Sequence, residues 1–207
     1  MPKVKTNNNK GYHMKLVSFF MLMVMFYFLS ISIQAREISG ISIPETISHS
    51  DQSTKLVLNG AGIRSKFIFD IYIGALYLTK KVSTANEVYH LPGEKRVSMH
   101  FLYKEVSKDK LVAGWNEGFE NNLSKKDYNE IKPRLVDFDN LFITVKKGDV
   151  VDIDLIPTTG TVVTINHKTM GTIEGDDFYV ALLKVWLGDD PADSNLKNAM
   201  LGIKTEQ

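Results

Sequence analysis

The 207-residue chain contains no cysteine, and that single absence removes disulfides, thiolate catalysis and cysteine-ligated zinc from consideration. Proline is scarce, with six residues, and fourteen glycines are too few for a low-complexity or collagen-like chain. An excess of charge is missing too: 25 basic residues face 24 acidic ones, so no basic stripe is available to follow a phosphate backbone, and nucleic acid is not expected as a partner. The five histidines, His13, His49, His90, His100 and His167, include no helical i, i+4 pair, and there is no HExxH. No metal and no cofactor is therefore expected. The chain also lacks a GxSxG elbow and a Walker loop, and Gly60-Ala61-Gly62 precedes a strand rather than a helix, which excludes a dinucleotide-binding turn.

What is present begins with one long apolar run. Leu16 to Ile33 passes eighteen residues without a charge, after Lys3, Lys5, Lys10 and Lys15 and with no acid before Glu37. This is the layout of an export signal, with Ala35 offering a small residue ahead of a cut before Arg36. The expected division is residues 1–35 as signal peptide and 36–207 as the folded domain, exported to the periplasm. The run also reaches the lower length of a membrane span, which leaves an uncleaved anchor as the alternative. Met14 is a second candidate start. Removing residues 1–35 takes away four lysines and no acid and turns the formal charge from +1 to −3. Anionic surfaces then become poor partners, and membrane contact is expected only through the N-terminal segment.

The roughly 170 residues beyond it are long enough to bury one sizeable core. A strand is expected over Glu37–Ile43, then a polar turn through Pro44–Ser53, then a β-rich stretch through Lys55–Gly62, Arg64–Phe69 and Ile71–Thr79. In Ile71–Leu78, apolar residues occupy both alternating faces, as in a strand covered twice. Arg96–Tyr103 reads as a further strand. Ser107 is a candidate N-cap for a helix whose stripe is Leu111, Trp115 and Phe119, with Val112 beside them. A second helix fits Lys125–Phe138, with Pro133 near its start or kinking it. Strands follow over Leu141–Val145, Val151–Ile156, Thr161–Ile165 and Met170–Glu174, separated by turn chemistry at Lys147-Gly148-Asp149, Thr158-Thr159-Gly160 and Asn166-His167-Lys168. Asp176 is expected to cap a helix carrying Phe178, Ala181, Leu182, Val185 and Trp186 and ended by Gly188, and a last helix fits Ser194–Leu201. The acidic pairs Asp176-Asp177 and Asp189-Asp190 read as helix-end and loop charges rather than as catalytic carboxylates. An antiparallel sheet with helices in a separate layer is an α+β fold.

One stretch is more specific. LNGAGIRSKFIFDIYIGALYL, from Leu58 to Leu78, resembles the opening strands of the chalcone isomerase-like family. The Ser107–Asn122 helix is similar to the helix flanking that family's cleft, and GTIEGDDFYVALLKVWLG is similar to the turn leading into its last long helix. With the export signal and the DPADSNLKNAMLG ending, the chain looks most like the bacterial exported members. The resemblance implies an open-faced β-sandwich, a large antiparallel sheet with a layer of helices and a ligand cleft. It places Arg64 at the cleft arginine and Tyr72 where the true isomerases carry a threonine and fatty-acid-binding members a tyrosine. Lys110 matches the enzymes' lysine, whereas Ser107 and Gly114 stand near the positions of their catalytic tyrosine and asparagine, and Met170, or Thr169 if the alignment slips, stands where a flavonoid-contacting hydroxyl is found. The implied function is a non-catalytic protein binding a small amphipathic molecule such as a fatty acid, with Arg64, Tyr72 and Lys110 as ligand-binding residues. The alternatives are an intramolecular lyase or isomerase acting on an unsaturated carbonyl compound, and an envelope scaffold or partner-binding protein. From residue type alone, Arg64 could equally pair with Asp70, Tyr72 could be a core tyrosine with a satisfied hydroxyl, and Trp115 and Phe119 could be core or cleft wall.

Overall fold

A computed structural model describes residues 1–2, 35–48 and 54–203, so the expected signal segment lies almost entirely outside the described residues. Ala35–Gln207 forms a compact unit by itself. Among the described residues no helix is long and apolar enough to cross a membrane.

The unit is α+β. A seven-stranded antiparallel sheet runs in the order β11-β10-β9-β6-β5-β4-β3, built from β3 (Thr46–Ser48), β4 (Lys55–Lys66), β5 (Phe69–Leu78), β6 (Lys95–Phe101), β9 (Val150–Ile156), β10 (Gly160–Ile165) and β11 (Lys168–Ile173). The helices are α1 (Ala85–His90), α2 (Lys108–Asn122), α3 (Lys125–Asn140), α4 (Asp176–Leu187) and α5 (Ser194–Met200). They share one core with one face of the sheet, which includes Leu76, Met99, Ile153 and Val163. On the other face Ile73, Ala75 and Tyr77 form a smaller cluster with Ile43. Ile43 belongs to β2 (Ile41–Pro44), the partner of β1 (Ala35–Ile38) in a separate hairpin. The alternation in β5 therefore feeds two cores, as a strand apolar on both faces must.

Local chemistry explains most boundaries. Ser107 caps α2 by accepting from the Lys110 backbone N–H, and Leu111, Trp115 and Phe119 are buried beneath it. Asn166 and His167 both take positive φ, the conformation a two-residue hairpin loop demands. α4 is buried nearly all round, Tyr179, Leu183 and Leu187 joining the expected stripe, because it lies between the sheet and α2. Gly118 permits that approach: a Cβ there would sit 2.7 Å from Val185.

Several boundaries differ from the sequence reading: β3 forms inside the expected Pro44–Ser53 turn, and the expected Arg64–Phe69 strand is broken by a turn at Phe67-Ile68. Glu37–Ile43 is a hairpin broken at Ser39-Gly40, both with positive φ. Leu141–Val145 is no strand; only β8 (Val145–Lys146) forms, paired with β7 (Glu105–Val106). Of the two roles expected of Pro133, a helix start is excluded, because it lies inside α3, whose cap is Ser124. Gly175, not Asp176, is the N-cap of α4, at φ +90 and with no side-chain bond; Asp177 instead pairs with Arg134 at 2.6 Å, which carries the segment against α3.

Candidate functional site

The site begins with two glycines. α5 lies directly on β4, and a Cβ on Gly60 would stand 2.0 Å from the Ala199 carbonyl oxygen, one on Gly62 2.5 Å from the Ala199 Cβ. The helix thus runs along β4 from beside Ser65 to Asn59. Its start is fixed by Asp193, which accepts from the backbone N–H groups of Asn195 and Leu196 and, through its other oxygen, from Ser65. Asn59 anchors the other end: it sits at an irregularity in the β4–β5 pairing, donates to the Met200 carbonyl at 2.8 Å and accepts from the Val82 N–H.

Arg64 is directly opposite Tyr72 in the β4–β5 ladder, and a second irregularity follows at once, since Ser65 pairs with Asp70 and leaves Ile71 without a partner. Bulges of this kind re-aim neighbouring side chains. The Ile71 carbonyl accepts from both Leu102 and Tyr103, which fixes the bulge. The Arg64 guanidinium carbon lies 5.7 Å from the Tyr72 ring centroid. Arg64 makes no ion pair with a described residue; Asp70, the obvious candidate, accepts from the Ser65 hydroxyl instead.

A cavity of about 380 Å³ opens above this pair. Its walls include Ile71, Met99 and Phe101 from the sheet and Leu111, Trp115 and Val185 from the helices, and its charged lining comprises Arg64, Lys66, Lys110, Glu105 and Glu117. Lys110 stands in the first turn of α2 and is exposed. All three residues singled out from the sequence, Arg64, Tyr72 and Lys110, therefore line one cavity.

Tyr72 is only 5% exposed, and its hydroxyl accepts from the Trp186 indole at 2.9 Å. Burial holds the phenol above its ordinary pKa, an effect that the nearby Arg64 charge opposes, so the group stays protonated near neutrality. Its own proton has no acceptor among the described residues. The Trp115 indole N–H, in the cavity wall, is buried and likewise without a partner. These groups are cations and donors beside apolar walls, an arrangement that receives an anionic or carbonyl oxygen carried on an apolar body.

A profile described as chalcone isomerase-like matches residues 35–202. The chain belongs to the chalcone isomerase-like family. No curated protein matches it. Among solved structures it is similar to a fatty-acid binding protein of Arabidopsis thaliana, with a TM-score of 0.63 and 17% identity, over 81% of this chain and 96% of that one. At that identity the likeness shows the fold, the open-faced sheet with its helical layer.

Within this chalcone isomerase-like chain the positions that the resemblance pointed to divide. Gly114 lines the cavity with Lys110. Ser107 does not; its hydroxyl is spent on the α2 cap. Met170 packs against the core and Thr169 is exposed, and neither lines the cavity, so no hydroxyl is supplied from β11. Trp115 is both core and cleft wall. Trp186 is the contributor that the sequence left as a core residue, since its helical spacing carries no sign of the bond to Tyr72. Among the described residues no group of three histidines and carboxylates could hold a metal.

Proposed function

We propose that this member of the family is a non-catalytic carrier or sensor of a small amphipathic carboxylate, a fatty acid being the best-fitting class. The observation that carries this reading is the Arg64–Tyr72 pair at the cavity: a guanidinium without a protein counter-ion, beside a phenol whose acceptor lone pair is used by Trp186 while its proton is free. A carboxylate satisfies both, receiving charge-assisted bonds from Arg64 and one from Tyr72. Its alkyl chain has Met99, Phe101, Leu111 and Val185 to lie against. The volume falls within the roughly 300–1,000 Å³ of small-molecule sites. Two further circumstances support binding over catalysis: serine and glycine stand near the positions that the resemblance gives to the enzymes' catalytic tyrosine and asparagine, and Ser107 is not among the residues lining the cavity. A similar fold serves the Arabidopsis protein, whose name gives it as fatty-acid binding. The chain's N-terminal run, with its lysines, supports an exported, periplasmic location.

The test is a titration of the purified chain with cis-parinaric acid, a fluorescent fatty acid, against Arg64→Ala. Saturable binding that the substitution weakens by about ten- to a hundredfold is expected, since a bond to a charged group is worth about 1.5–3 kcal/mol. Equal binding by both proteins would remove Arg64 from the site and the reading with it.

A further inference from the structure

The β4–β5 turn has the wrong residues for a turn that meets only water. Lys66 pairs with Phe69, so Phe67 and Ile68 are the two-residue loop. Phe67 takes φ +58, the left-handed region in which hairpin loops ordinarily place glycine, asparagine or aspartate. Neither side chain folds back for cover: Phe67 is 91% and Ile68 88% exposed, and Phe69 beside them is 48% exposed. A strained backbone that displays bulky apolar groups to solvent is a feature whose reason lies outside the chain's own stability.

The tip also occupies a particular place. Lys66, Phe67 and Phe69 line the cavity, so the hairpin forms part of its rim, and the Phe69 ring meets the Tyr103 ring edge-on at 5.5 Å. Of the charged groups in the lining, Arg64, Lys66 and Lys110 have no ion-pair partner among the described residues, whereas Glu105 pairs with Lys146 at 3.9 Å and Glu117 is the one acid left unpaired. The rim therefore presents an apolar point surrounded by an excess of free cations.

We propose that this hairpin tip inserts into the interfacial region of an anionic lipid bilayer, so that the cavity exchanges its ligand with the membrane. Phe67, Ile68 and Phe69 would lie at the level of the upper acyl chains, while Lys66 extends along its stem to the phosphates. A protein partner fits less well, because a two-residue protrusion buries far less than the roughly 1,000 Å² that a stable interface needs. The formal charge of −3 expected for the chain without residues 1–35 does not oppose this, since beyond about 10 Å charges are screened and the cations at the rim are the ones near the headgroups. The purpose assigned to the docking rests on the ligand-binding reading; the docking itself does not.

Because the chain has no cysteine, Ile68→Cys carries a single NBD fluorophore at the tip of the full-length protein. With vesicles of phosphatidylcholine containing one quarter phosphatidylglycerol, the probe is expected to shift to the blue, brighten several-fold and be quenched by lipids spin-labelled high on the acyl chain. The same fluorophore on Thr159→Cys, at the opposite end of the sheet, should stay in water. Adding Phe67→Ser should reduce the response, and Lys66→Glu should remove the preference for anionic over neutral vesicles. A chain held on vesicles with its Ile68 probe still in water would overturn the proposal by assigning attachment to the N-terminal run. A blue shift that grows with protein concentration and needs no vesicles would overturn it in favour of contact between copies. Parinaric acid titration without vesicles reads the ligand-binding proposal alone, so a wet tip with intact ligand binding overturns only the docking.

Discussion

The Trp186 indole N–H donates to the Tyr72 hydroxyl at 2.9 Å, joining α4 to the strand that carries the cavity floor. Both partners are buried, and the bond settles which way the phenol can act: the Trp186 donor occupies a lone pair, so the phenolic proton is directed elsewhere.

Removing one partner alone leaves the other buried and unsatisfied. Tyr72→Phe should cost about 1–3 kcal/mol in urea unfolding because the Trp186 donor then has no acceptor. Trp186→Phe should cost at least as much, since it also vacates core volume. The Tyr72→Phe, Trp186→Phe double variant should lose less than the sum of the two. Strict additivity in this cycle would show that the bond contributes nothing.

At the cavity, charge and geometry can be told apart. Arg64→Lys keeps the positive charge but cannot make two parallel bonds to a carboxylate. Parinaric acid should therefore bind in the order wild type, Arg64→Lys, Arg64→Ala, each step weaker by several-fold. Trp186→Phe should weaken binding as well, by releasing the Tyr72 hydroxyl from its orientation. Tight binding by Arg64→Ala together with weak binding by Trp186→Phe would reverse the assigned roles.

Three glycine-to-alanine changes should separate by sign. Gly60→Ala meets the Ala199 backbone and Gly62→Ala the Ala199 Cβ, neither of which can move without shifting α5. Overpacking of this kind costs about 1–3 kcal/mol. Gly114, within α2, has nothing within 4 Å of a built Cβ. Gly114→Ala should stabilise the protein by about 0.5–1 kcal/mol, the helix-interior penalty of glycine. Thermal melts of the three variants give the comparison directly.

On the face of the sheet away from the helices, Ser98 donates to Asp152 at 2.6 Å and lies 3.2 Å from the His100 Nε2. With the serine proton so committed, His100 donates from Nε2 as the neutral tautomer. Burial holds its imidazole below the ordinary value, and Asp152 only partly opposes this. The native state thus binds fewer protons than the unfolded chain between the lowered value and about 6.5, and stability falls as pH drops through that window. His100→Gln should flatten the stability profile there while leaving it unchanged near pH 8. An unaltered slope would show that another group titrates.

How far these features were visible in the sequence depends on whether their causes are local. α2 was legible because its cap and its apolar stripe lie within sixteen residues, and β5 because both faces announce themselves by alternation. Ser39-Gly40 carries a turn signal as short as that of the other hairpins, but the isoleucines flanking it, Ile38, Ile41 and Ile43, read as one strand. Pro133 left two roles open, because residue type alone does not say whether the α3 backbone accommodates a missing donor within the helix. Arg64 and Tyr72 came forward only through the family resemblance; their direct pairing depends on a bulge at Ile71 that no side-chain pattern encodes. Trp186 was placed correctly on its helix and underread, because spacing identifies a buried indole and says nothing of where its N–H ends. The exposed Phe67-Ile68 tip looked like two more strand residues until the register put the turn beneath them.

The tie from Asn59 to the Met200 carbonyl spans 141 positions. The first long strand acquires this neighbour only once α5 has been made, and contacts of such separation are slow to close. Until then the Gly60–Gly62 backbone and the floor beside Arg64 remain uncovered. The cover over β4 is therefore among the slow contacts of this fold, set by α5 rather than by any neighbour in sequence.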